Sequence, residues 1–399
     1  MITAFEPIPT DNIRPMRFMG IAEKLLEKGH DVTIITSSFT PHNNSHRFSE
    51  DKNIRLSENY NLKILKSKGY DKKISIKRYF AHLDFANKLK KELNKGEFPD
   101  LIYISLPPID TVYKSIKFAK FNKIPIIVDI IDPWPDVFLR IFPNKIKFLG
   151  KLFFFPFYYQ IKYIFKNANG IISISNKYKN WAKKYNKNNV LSQVFYPAVT
   201  TKSIQINTLE KTNNSTIKFV YAGALSNSYD VETIIKAAIT LNKRKVNNIE
   251  FYIAGNGPKL NQLKQQASNS KNIFFTGYLG SEQLEKLLTS CDFGIACYAK
   301  NSTQSVTYKL FDYLSYGLPI ICSLPGEMSD IIVDENVGFF FNPENDSELV
   351  SIISHILNNS QDIFLMKKRA LELTKKIGDK NIVYNELVEF VEKIYLNCK

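Results

Sequence analysis

Within residues 305–322, SVTYKLFDYLSYGLPIIC, a lysine and an aspartate stand three positions apart, where the spacing of Leu310, Phe311 and Leu314 predicts an amphipathic helix. Gly317 and Pro319 end it, and PIIC reads as the strand that follows. The first turn of such a helix offers unpaired N–H groups and a partial positive charge, which suit a phosphate. Lys309 adds a full charge there. Asp312 is wrong for a phosphate, but its carboxylate can accept hydrogen bonds from sugar hydroxyls. Together the two residues fit a nucleotide sugar. The same pattern also arises in an ordinary helix–strand unit whose lysine and aspartate are merely solvated.

Small residues at nearby strand ends extend this candidate site. The loops Gly223-Ala224-Leu225, Gly255-Asn256-Gly257-Pro258 and Gly277-Tyr278-Leu279-Gly280 each let a backbone approach a ligand closely. In the first half, DIIDPWPDVF (129–138) gathers Asp129, Asp132 and Asp136 at the carboxyl end of a predicted strand, the edge at which open α/β sheets bind ligands. Asp132 is the candidate for orienting or deprotonating an acceptor hydroxyl. A turn built from two prolines and a capping aspartate is the plainer reading. Arg14 and Arg17, at the start of the first helix, could reach a phosphate or the acceptor, or could be surface arginines.

These residues must be positioned by strands and helices, and the pattern supplies them. Short apolar runs alternate with helical periodicity twice: DLIYISL, IPIIVDII and GIISIS in the first half, then IKFVYAG, IEFYIAG, NIFFTG, FGIACY and PIICS in the second. Near-continuous apolar strands separated by helices indicate parallel, doubly wound sheets. The polar stretch 200–216 reads as a linker. We therefore expect two Rossmann-like α/β domains, 1–199 and 200–380, facing across a cleft, with the last helix (381–399) packing back on the first. Residues 39–75 show no clear period and read as a long loop.

The chain has 399 residues, 44% hydrophobic and 23% charged, with a formal charge of +16. That surplus would suit nucleic acid, an anionic membrane or anionic small molecules. No nucleic-acid-binding motif accompanies it, so nucleic acid is not expected as a partner. The opening loop PIPTDNIRP lacks the glycines of a dinucleotide fingerprint, which argues against NAD or FAD. The four cysteines show no metal-ligand spacing, there is no D-x-D motif, and no metal or other cofactor is expected. Residues 140–166 interleave Phe153, Phe154 and Phe155 with Lys147, Lys151 and other basic residues. Such a segment suits anionic headgroups, although a helix packed on the sheet with lysines on its wet face would look similar.

The second half resembles the donor domain of the family 4 retaining glycosyltransferases. YAGALSNSYDVETIIKA, FYIAGNGPKLNQLKQQ, NIFFTGYLGSEQLEKLLTSCDFGIACY and YKLFDYLSYGLPII follow that family's order and spacing. Its members often read P-x-K-x-F-E-Y-x-A-x-G-x-P-V at the last of these. Of the family's two acidic residues eight positions apart, the second falls on Asp312 and the first on Gln304. The family's Arg and Lys after the first glycine are replaced in a region holding Ala224, Ser228 and Tyr229. EPIPTDNIRPMRFMGIAEKLLEKGHDVTIITS looks like the acceptor-domain start of the branch that builds bacterial O-antigen and capsule, and Asp132 and Trp134 resemble its D-x-R-D-x-W-P-D motif.

The resemblance implies a GT-B fold and transfer of a sugar, with retention, from a nucleotide sugar to a saccharide or lipid-diphosphate-linked acceptor. An N-acetylated or 6-deoxy sugar on UDP would fit that branch. It places the base near Tyr278 and Leu279, the ribose at Asp312, and the diphosphate at Lys309 and Leu310, with Gly223, Ala224, Gly255, Asn256, Gly257 and Gln304 completing the donor site. The expected location is cytoplasmic, peripheral on the inner face of the membrane. A sugar-nucleotide epimerase of the same architecture and a noncatalytic sugar-nucleotide-binding protein are the alternatives.

Overall fold

The computed structural model describes residues 1–399 apart from 9–10, 12–16, 42–43, 73–74, 187–189 and 203–215, so Arg14 and most of the polar stretch 200–216 lie outside the described residues. The chain forms two compact units, Met1–Tyr196 together with Asn381–Lys399, and Pro197–Lys380.

In the first unit β1 (Val32–Ser37), β2 (Phe39–Thr40), β3 (Ser45–His46), β4 (Lys52–Ser57) and β5 (Tyr60–Leu65) precede β6 (Ile102–Leu106), β7 (Ile126–Ile130), β8 (Gly170–Ser173) and β9 (Leu191–Val194). β6 to β9 pair in sequence order and all in parallel. β5 runs parallel to β1 and carries antiparallel β4 on its outer edge. Ile2 bridges both Ile35 and Ile104, which ties the two sets of strands together. β6 and β7 are buried at every position, as expected where helices cover both faces.

The expectation of a structureless loop over 39–75 is corrected: it contains four of these strands. β4 sits at the sheet edge with almost every side chain exposed, so selection for an apolar face is weak there. β5 does alternate, burying Tyr60, Leu62 and Ile64, but six residues are too few to stand out in a basic background.

Arg17 opens the first helix (Arg17–Glu27), and its role also differs from expectation. It is 3% exposed. Its Nε donates to Asp129 Oδ2 at 2.7 Å and its Nη1 to the Phe195 carbonyl at 2.9 Å. Tyr103 donates to the same Asp129 oxygen at 2.6 Å. Arg17 is thus committed to a buried carboxylate and main-chain carbonyls, and it ties helix, sheet and strand end together rather than waiting for a phosphate. The C-terminal helix (Lys380–Cys398) completes this unit. Gly20 and Gly170 have no room for a Cβ because Tyr384 and Ile394 occupy it.

The second unit contains β10 (Ile217–Ala222), β11 (Ile249–Ala254), β12 (Ile273–Gly277), β13 (Phe293–Ala296), β14 (Ile320–Cys322) and β15 (Gly338–Phe340). The order is β12-β11-β10-β13-β14-β15, parallel throughout. The chain steps outward from β10 to β12, then returns to the other side of β10 for β13. That reversal makes the carboxyl edge at β10 and β13 the topological switch point, the edge at which open α/β sheets bind ligands, and the loops leaving the two strands meet there, Ala299 N–H donating to Ser228 O at 3.2 Å. Phe219, Phe251, Phe293 and Leu349 fill the core beneath.

Removing one partner of the Arg17–Asp129 pair strands a buried charge, which costs roughly 3–5 kcal/mol. Asp129→Ala should lower the stability of the first unit by about that amount in urea unfolding followed by tryptophan fluorescence, because both tryptophans, Trp134 and Trp181, lie in that unit.

Candidate functional site

Three strand-end turns of the second unit interlock at the switch point. Gly223 N–H donates to Ala254 O, Leu225 N–H to Asn256 O at 2.9 Å, and Gly255 N–H to Gly277 O at 2.7 Å. Gly255 has φ +141°. A Cβ there would fall on the Gly223 carbonyl oxygen, so only glycine lets the two turns nest. Asn256 uses its Oδ1 locally, accepting from Gly257 N–H at 2.8 Å.

Helix Tyr308–Ser315 starts beside these turns. Thr307 precedes it without capping it by its side chain, and its hydroxyl instead pairs with Tyr298 Oη at 2.6 Å. Lys309 reaches from the first turn to donate to the Ala222 carbonyl. Its ammonium lies 4.8 Å from the Tyr221 ring centre and 5.2 Å from that of Tyr229. A Cβ on Gly223 would fall on that ammonium, so the glycine makes its berth. Burial pushes the Lys309 pKa down to about 8, opposed by the nearby charge of Asp312. Asp312, one turn on, shares the helix face with Lys309.

Tyr313 anchors the helix from below. Its hydroxyl accepts from Ala222 N–H at 2.8 Å, while its ring fills the space a Cβ on Gly294 would need. Leu310 is fully buried, and its N–H bonds to Thr307 O at 3.1 Å, so it packs the core rather than offering a donor to a ligand. Gln304 accepts from Ser302 Oγ at 3.4 Å. Tyr278, at the end of β12, is 77% exposed, a ring face open to stacking. Ala224 is exposed, and its carbonyl takes the Tyr221 hydroxyl at 2.8 Å. Lys309, Asp312, Gly223, Ala224, Gly255, Asn256 and Gly257 thus stand on one edge of one sheet.

In the first unit the three aspartates of 129–138 separate by role. Asp129 is bound to Arg17, and Asp136 accepts from Tyr158 Oη at 2.6 Å and Trp181 Nε1 at 2.9 Å. Asp132 is left half-exposed at the end of β7. Burial raises its pKa to about 6 against the pull of Arg78, Arg140 and a bond from Tyr178. Arg78 stacks over Trp134, 4.8 Å from its ring centre, and lies 5.6 Å from that of Tyr70. Arg78 and Tyr178 carry no sequence signal of a role, and Tyr229 only that of lying where the resembled family carries a cation. Each sits in an ordinary helix or loop and gains its neighbours only through the fold.

The aromatic segment forms helices Lys147–Phe153 and Phe155–Asn167. Phe148, Leu152, Phe153 and Phe155 are 64–72% exposed, and Lys147 and Lys151 are exposed among them. Phe154 differs from the expected outward triplet. It turns in against Phe138 and Phe157 from the junction between the two helices, where the chain leaves one before entering the next.

Residues 205–376 match the family described as glycosyl transferases group 1. An uncharacterized glycosyltransferase of Methanocaldococcus jannaschii is 25% identical over 241 residues, 59% of this chain and 60% of that relative's length. Sucrose-phosphate synthase from Thermosynechococcus elongatus superposes with a TM-score of 0.70 at 13% identity, covering 95% of this chain and 93% of that one. HepE of Anabaena, solved in complex with UDP-glucose, superposes with a TM-score of 0.64 at 12% identity over 98% and 99% of the two chains. The second unit is thus similar to the group 1 glycosyl transferases over residues 205–376, and the chain has an α/β fold with parallel sheets, the fold of sucrose-phosphate synthase and HepE.

Proposed function

We propose that this protein is a glycosyltransferase that moves a sugar from a nucleotide sugar, on UDP by preference, to a saccharide or lipid-linked acceptor with retention, in the synthesis of a surface polysaccharide. The observation that carries the reading is the Lys309 ammonium at the Gly223 turn, with Asp312 one helical turn away, inside the matched region. A diphosphate fits the ammonium and the uncapped helix start, and a ribose fits the carboxylate. The exposed Tyr278 ring is assigned the base.

In the transfer, the bond from the anomeric carbon to the diphosphate oxygen breaks as the Lys309 ammonium and the positive end of the helix dipole stabilise the developing charge. The acceptor oxygen bonds to the anomeric carbon on the face the diphosphate leaves. Asp132 is assigned the acceptor hydroxyl and its proton; a carboxyl raised to about 6 is a better base near neutrality than an ordinary aspartate. Exposed Phe153 and Phe155 among lysines support a peripheral seat on an anionic membrane and hence a lipid-linked acceptor. Among the described residues no helix is long and apolar enough to cross a membrane.

Labelled nucleotide sugars incubated with and without a lipid-diphosphate saccharide should release nucleoside diphosphate only with acceptor present. Interconversion of the sugar without acceptor would instead mean an epimerase, and binding without turnover a noncatalytic role. Lys309→Ala should lower turnover by ~100-fold or more; wild-type turnover in that variant would remove the donor-site assignment. The charged form of Lys309 is disfavoured in the free fold, so an anion that pairs with it draws in a proton above pH 8. UDP affinity should be flat from pH 7 to 8 and then fall about tenfold per pH unit, a calorimetric measurement. Binding to anionic vesicles should weaken with salt and with Phe153→Ser/Phe155→Ser, and sedimentation assays would reject the membrane role if it did not change.

A further inference from the structure

We propose that Tyr229 is a positioning residue for the transfer: with Tyr221 it forms an aromatic cage that holds the Lys309 ammonium at the Gly223 turn before a donor arrives. This rests on the donor reading above and names a residue that reading leaves idle.

A lysine on its four-carbon stem samples many rotamers, and that freedom is lost when the ammonium meets a phosphate. Here the loss is taken during folding. The ammonium sits 4.8 and 5.2 Å from two tyrosine ring centres, whose faces carry negative potential, and donates to the Ala222 carbonyl. The cage itself is fixed. Tyr221 donates its hydroxyl to Ala224 O at 2.8 Å, and Tyr229 N–H donates to Ser226 O at 3.0 Å. The Tyr229 ring packs edge-on to Tyr221 and is tilted against Tyr298, 5.6 Å between centres. Asp230, the next residue, caps helix Val231–Lys243 through Thr233 N–H, which pins the loop from the other side.

Tyr229 is half-buried against the core of the second unit, and that packing alone does not call for an aromatic ring. A leucine would fill the same space. What the ring adds is a π face toward a cation, in a region where the resembled family carries cations of its own. A single ammonium held in place would stand in for several mobile ones, since its position no longer has to be found at each encounter.

UDP titrated against the whole chain tests the cage through a double-mutant cycle. Tyr229→Leu should weaken UDP binding about tenfold, the size of a partly desolvated cation–π contact. Tyr229→Phe keeps the ring and should restore binding to within about twofold of wild type. In a Lys309→Met background Tyr229→Leu should have no further effect, because the ring acts only through the ammonium. Equal weakening in both backgrounds would overturn the cage and leave the donor reading intact. Tighter binding by Tyr229→Leu would overturn it too, since the rings would then compete with the ligand. No binding of UDP or any other nucleoside diphosphate by the wild type would overturn the donor reading itself, and the cage with it.

Discussion

The site depends on keeping one ammonium out of water without a carboxylate in direct contact. Removing a charge from solvent costs several kcal/mol unless partial charges surround it. At Lys309 these come from the Ala222 carbonyl, two ring faces and Asp312 a turn away. That arrangement dictates much of its surroundings. Gly223 must lack a side chain, Gly255 must nest under Gly223, and Tyr313 must hold Ala222 N–H so that the Ala222 carbonyl faces the lysine.

Buried cations of this chain serve different ends. Arg17 is matched by Asp129 at 2.7 Å, and Lys367 by Asp292 at 2.9 Å, both pairs nearly free of solvent. A full counter-charge satisfies such a group, which then serves the fold. Lys309 has a carbonyl, two ring faces and Asp312 a turn away, and burial still holds its pKa down to about 8. A cation so held at a strand-end switch point is what a phosphate would complete.

Most of the parallel architecture was legible because strands covered on both faces spell unbroken apolar words, as in IYISL and IIVDI. Strands at a sheet edge do not, and β4 went unread for that reason. Lys309 and Asp312 could be picked out because their chemistry depends on a local spacing within one helix. Arg17 could not be read correctly, since its partner stands 112 residues away and nothing in RFMGIAEKL announces it. Leu310 and Phe154 turn inward against expectation, because which way a side chain faces is set by packing that local spacing does not specify. Arg78, Tyr178 and Tyr229 owe their settings wholly to tertiary contacts.

The last helix, Lys380–Cys398, fills out a unit whose other residues end at Tyr196. Val383, Leu387, Val391 and Ile394 are buried, and two glycines of the first unit are shaped to its side chains. On the ribosome, the amino-terminal lobe therefore emerges long before its missing piece. It must wait with an apolar flank uncovered until the whole second lobe has been synthesised, so the part made first is the part finished last.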